Sequence, residues 1–128
     1  RKMLIKWFLS VMSLVLVDQG IKAMLVNAKM RVINSGMAFG LGQAWPNFWQ
    51  GVVMGLLILV IIKFRFNWQT ALVTAGGLAN LIDRIRWGGV VDYLTVGFGL
   101  KFNLADSLIV VGLLGLLYSF VNGSKNNL

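Results

Sequence analysis

The chain has 128 residues, 58% of them hydrophobic, and a mean hydropathy of +0.79, so residues 1–128 read as one integral membrane domain, too apolar for an ordinary soluble one. It has no histidine and no cysteine, which excludes serine–histidine triads, thiol nucleophiles, disulfides and histidine-based zinc sites; neither a metal nor a cofactor is expected. The net charge of +8 comes from bases scattered at the ends of apolar runs, a pattern that fits anchoring against anionic lipid and not nucleic-acid binding.

The chain opens on "RKMLIKWFLS", which has the basic start of a signal peptide. The apolar run continues past Val17 into "VDQGIKAMLV" with no small-x-small cleavage site, so a retained span is expected over Leu4–Val26, interrupted by Asp18 and Lys22. A glycine-containing link, Asn27–Asn47, follows. The second span is predicted over Phe48–Ile62 and the third over Thr70–Ile85, joined by the short basic link Lys63–Gln69. Gly36, and Gly76 with Gly77 in the third span, read as points of close packing. A second glycine-rich link, Arg86–Asn103, leads to a fourth span over Ala105–Val121. Several spans are shorter than the roughly 20 apolar residues that cross a bilayer, so polar ends or tilt complete the crossing. Trp45, Trp49, Trp68 and Trp87 fall near span ends, as interfacial belt residues do.

Four alternating helices place the end of span one, the start of span two, the end of span three and the start of span four on one side. All four acids, Asp18, Asp83, Asp92 and Asp106, then fall on that side. Bases divide evenly: Arg1, Lys2, Lys6, Lys63, Arg65 and Lys125 on one side, Lys22, Lys29, Arg31, Arg84, Arg86 and Lys101 on the other. The N-terminal cluster and the tight Lys63/Arg65 link favour a cytoplasmic N-terminus.

Asp18 and Lys22 are four apart and share a helix face, as do Asn80, Asp83 and Arg84 at i, i+3 and i+4. Structural ion pairing explains these groups without chemistry; ionisable groups inside spans also mark functional sites. In "FNLADS", Asn103 fits an N-cap of the fourth helix with Asp106 in its first turn. That role is compatible with a second one. Asp92 stands 14 positions earlier across a glycine-rich loop, a separation that permits the two carboxylates to meet. Two adjacent carboxylates share one proton, one taking a proton from water and the other donating one to the substrate. In a chain without histidine, cysteine or glutamate this is the general acid–base pair most easily built. A small proton-coupled transporter with Asp18 and Asp83 as relays, or a non-enzymatic scaffold, are the alternatives.

Five segments together resemble the lipoprotein signal peptidases, or signal peptidase II: "VDQGIK" (17–22), "NSGMAFG" (34–40), "GGLANLIDR" (76–84), "VVDYL" (90–94) and "FNLADS" (102–107). The resemblance covers nearly the whole chain. It implies an all-α membrane protein with four transmembrane helices, a small β-rich periplasmic cradle in the Asn27–Asn47 link, and both termini cytoplasmic. The implied activity is that of a monomeric aspartyl endopeptidase of the bacterial inner membrane, active at the periplasmic face. It would cut signal peptides from prolipoproteins just before a diacylglyceryl-modified cysteine. The family's catalytic dyad falls on Asp92 and Asp106, and its substrate-binding polar residues on Asp18, Lys22, Asn34, Asn80, Asp83, Arg84 and Asn103. The chain departs from the family at Ala79, where glycine is usual, and at Leu100-Lys101, where a proline is frequent.

Overall fold

A computed structural model describes residues 1–27, 32–34, 46–97 and 100–126. Gly36, Trp45, Lys29, Arg31 and most of the link expected to form the cradle lie outside the described residues, as do the side chains of Asn34, Trp49 and Lys125.

Four long helices carry the fold: α1 (Lys2–Asn27), α2 (Pro46–Phe64), α3 (Trp68–Trp87) and α4 (Leu104–Asn126). Each contains its predicted span and extends past it, because polar caps and the proline at the start of α2 continue a helix beyond its apolar run. Among the described residues, four three-residue strands lie between them: β1 (Val32–Asn34), β2 (Val90–Asp92), β3 (Leu94–Val96) and β4 (Leu100–Phe102). β1 pairs antiparallel with β2, placing Val32 opposite Asp92, and β3 pairs antiparallel with β4, placing Leu94 opposite Phe102. β structure therefore occurs in both long links; β2, β3 and β4 lie in the second.

α3 is the central helix and packs against α4, α1 and α2. That position explains its composition. It carries small residues on its contact faces, and Ala71 and Ala75 pack with Val11 and Val15 of α1. Gly76 is the closest approach: a Cβ there would run into the Ala105 carbonyl and lie 2.6 Å from Ile109 Cγ1, so only glycine lets the start of α4 sit against α3. Gly88 ends α3 in the left-handed region (φ 75°), its N–H donating to Arg84 O at 3.1 Å, and turns the chain into β2.

The outer surface is apolar. Phe8, Leu16, Leu59, Ile62, Leu114 and Tyr118 are all more than half exposed. The interior at one end is polar: Lys22, Asn103, Asp18 and Asp83 are among the largest fully buried side chains. A chain with apolar surface around buried charge is suited to lipid and not to water. Among the described residues, Lys2–Asn27 and Leu104–Gly123 are long and apolar enough to cross a membrane, and Gln50–Phe64 is a shorter apolar helix.

Candidate active site

α4 begins beside the end of α3, and its first N–H groups are the foundation of the site. A helix start leaves several N–H groups without intrahelical acceptors. Here four successive ones find side chains: Asn103 N–H donates to Asp106 Oδ2 (3.1 Å), Leu104 N–H to the Tyr93 hydroxyl (3.0 Å), Ala105 N–H to Asp18 Oδ1 (3.1 Å) and Asp106 N–H to Asn103 Oδ1 (2.9 Å). The reciprocal Asn103–Asp106 bonds form a capping box, as the N-cap expectation required.

The cap belongs to a larger network. Asp106 Oδ1 also accepts from Asn80 Nδ2 at 2.9 Å. Asn103 Nδ2 lies within hydrogen-bonding distance of Asn80 Oδ1 (3.0 Å), Val91 O (3.1 Å) and Asp92 Oδ1 (3.1 Å). One residue thus touches both candidate catalytic acids, Asp92 through its side chain and Asp106 through its cap. Asp92 is buried at 4% exposure, whereas Asp106 is partly exposed.

Bonded to the same network is a charged cluster with no exposure at all. Lys22 Nζ lies 2.6 Å from Asp18 Oδ2 and 2.6 Å from Asp83 Oδ2, and donates to Asn80 Oδ1 at 3.3 Å. Asp83 Oδ2 accepts Val91 N–H at 3.1 Å, and Asp83 Oδ1 accepts Gln19 Nε2 at 2.8 Å. Gln19 Nε2 also reaches Ala79 O at 3.1 Å. The i, i+4 pairing of Asp18 with Lys22 is observed. Asp83 meets Lys22 across two helices, a contact outside the spacing argument. The Arg84 guanidinium is half-buried and lies in the field of Asp106, Asp83 and Asp92.

The network brings together Asp18, Lys22, Asn80, Asp83, Asp92, Asn103 and Asp106 from three helices and a strand. Asn34 is placed by its backbone alone, opposite Val90 in the β1–β2 ladder. Two members were not expected: Gln19 and Tyr93. Gln19 had one signal, an amide next to an intramembrane acid; Tyr93 had only its adjacency to Asp92. Burial pushes the Tyr93 hydroxyl above its ordinary pKa, the charges of Asp18, Asp106 and Asp83 act in the same direction, and the Leu104 N–H opposes them. Among the described residues, no group of three or more aspartates is placed to hold a metal ion.

The family model for signal peptidase (SPase) II matches residues 10–122, nearly the whole chain. The chain belongs to the signal peptidase II family. A lipoprotein signal peptidase of Syntrophomonas wolfei is 36% identical over 107 residues, covering 73% of this chain and 68% of that protein. One from Caldanaerobacter subterraneus is 42% identical over 104 residues (73% and 72%), and one from Halothermothrix orenii 35% identical over 128 residues (82% and 88%). Two bacterial membrane enzymes solved by the in meso method share the fold. The first has a TM-score of 0.82 at 24% identity, covering 94% of this chain and 90% of that one. The second has a TM-score of 0.67 at 23% identity, covering 90% and 92%. As a signal peptidase II, the protein is a membrane-bound aspartic endopeptidase.

Proposed function

We propose that Asp92 and Asp106 are the catalytic dyad of this peptidase, and that its substrates are prolipoproteins cut just before a cysteine carrying a diacylglyceryl group. The observation that carries the assignment is the Asn103 side chain and cap, which tie both acids into one network at the rim of an apolar bundle. The names of the relatives support the substrate class.

Both Asp106 oxygens accept N–H groups, so a proton on either would compete with a donor; Asp106 is the base that takes a proton from water. Asp92 gives its proton to the scissile carbonyl oxygen as the hydroxide adds, and the product is a neutral gem-diol. Collapse breaks the C–N bond: Asp106 returns its proton to the leaving nitrogen, and one diol hydroxyl restores the proton of Asp92. We assign substrate binding to Arg84, which lies in the field of both dyad acids, and to Asn34. Asp18, Lys22 and Asp83, having no exposed surface, hold the site without touching substrate.

All four helices cross the inner membrane, with the dyad at the periplasmic face and both termini in the cytoplasm. The buried pairing of Lys22 supports this orientation, because a lysine neutralised inside the protein does not anchor against lipid. Arg1, Lys2, Lys6, Lys63 and Arg65 then outnumber the bases available on the dyad side among the described residues, Arg84, Arg86 and Lys101. The two small sheets are part of a cradle that receives the extended substrate, and the enzyme works as a monomer in lipid. The transporter alternative has no support: Asp18 and Asp83 are locked on Lys22 at the same end as the dyad.

The test is a purified enzyme in detergent offered one synthetic prolipoprotein with and without the diacylglyceryl group. Mass spectrometry should show cleavage of the lipidated form alone, immediately before the cysteine. Equal cleavage of both forms, or a cut elsewhere, would overturn the substrate assignment.

A further inference from the structure

Each of the three acceptors around Lys22 Nζ leads to one of the two acids assigned to the dyad. Asp18, at 2.6 Å, holds the N–H of Ala105, the residue before Asp106. Asp83, at 2.6 Å, holds the N–H of Val91, the residue before Asp92. Asn80, at 3.3 Å, donates to Asp106 Oδ1 and accepts from the Asn103 amide that touches Asp92. An ammonium has three protons, and here three acceptors converge on one nitrogen with no solvent exposure.

We infer that Lys22 is a positioning residue that sets the separation of Asp92 and Asp106, drawing the β2 backbone and the start of α4 to fixed places about one buried nitrogen. The inference rests on the dyad assignment above. Its physical basis is that the two carboxylates come from different elements. Asp92 ends a three-residue strand, and Asp106 sits in the first turn of a helix. Neither element alone defines the distance between them. Asp18 and Asp83 also belong to different helices, and Lys22 joins them directly. A buried ion triad is a weak stabiliser compared with neutral packing, but it is demanding about geometry. Misplacement of reacting groups by about 1 Å can lower a rate by about a hundredfold.

The test compares the parent enzyme with the charge-balanced variant Lys22→Met/Asp18→Asn/Asp83→Asn. This variant keeps side-chain oxygens for the Ala105 and Val91 N–H groups and leaves no uncompensated buried charge. Thermal unfolding in detergent should match the parent, kcat on the lipidated substrate should fall about a hundredfold, and KM should stay within about twofold, because only the reacting groups have moved. Lys22→Arg is the second variant. It retains the charge but cannot bring three N–H groups to one point, and it should show the same split. A folded variant of either kind that retains the parent kcat, or loses activity only through KM, overturns the inference and leaves the dyad standing. A parent enzyme that does not cleave the lipidated substrate overturns the functional assignment first, and this inference with it.

Discussion

At its start, α3 is capped by neutral groups. Asn67 Oδ1 accepts Thr70 N–H at 2.9 Å, Thr70 Oγ1 accepts the Trp7 indole N–H at 3.0 Å, and the threonine proton goes to Arg65 O at 2.7 Å. At its far end the same helix meets fully buried Lys22, Asp18 and Asp83. Both ends face the same need, satisfying backbone groups where helices begin and stop. Neutral caps meet it for about 1 kcal/mol each, whereas each buried ion costs several kcal/mol before pairing. A bundle that only had to end its helices would use the first solution twice. Among the described residues the charged solution appears beside Asp92 and Asp106, the acids proposed as the dyad.

The comparison breaks most sharply at Lys22. Lys22→Met leaves Asp18 and Asp83 buried without their shared cation, and unfolding should become easier by about 3–5 kcal/mol. A melting temperature equal to the parent's would mean that the two carboxylates are not charged in the folded protein. At the neutral end, Thr70→Val removes the buried hydroxyl that accepts the Trp7 N–H and donates to Arg65 O; leaving these partners unsatisfied should cost about 2 kcal/mol, with kcat unchanged. A large loss of kcat with little loss of stability there would erase the distinction between the two ends.

The smallest effect concerns Tyr93, which bonds the start of α4 from the loop after Asp92. Tyr93→Phe should cost about 1 kcal/mol at neutral pH through the lost Leu104 bond. Because burial and the nearby acids raise the folded pKa of this hydroxyl, the native state favours its protonated form. That contribution is complete below the ordinary tyrosine pKa of about 10 and is lost as pH rises through the folded value. The parent's advantage over Tyr93→Phe should therefore shrink in alkaline unfolding experiments. An advantage that grows above that pH would contradict the assigned direction.

Much of this arrangement was legible in the sequence. Four apolar runs located four helices, and alternation alone put every acid at one end. Asn103 announced its cap because a helix start has a local chemical signature. Contacts between helices had no such signature. Asp83 was legible beside Asn80 and Arg84 on its own helix, but its bond to Lys22 depends on how α1 leans on α3. Gly76 showed a close approach without showing that Ala105 was the partner. The strands were too short for an alternating pattern to register, so the β structure of the second link was missed. Tyr93 was hidden for the same reason, since its role depends on where the α4 N-terminus lies in space.

The most direct test of the dyad is the turnover of Asp92→Asn and Asp106→Asn on a lipidated prolipoprotein, measured beside thermal unfolding, with Asp83→Asn as the comparison. Asp92→Asn and Asp106→Asn should each abolish cleavage while leaving folding intact, and Asp83→Asn should lose activity and stability together. Near-parent turnover in either dyad variant would contradict the account. If Asp83→Asn instead abolished turnover at unchanged stability while Asp92→Asn remained active, Asp83 and not Asp92 would be the partner of Asp106.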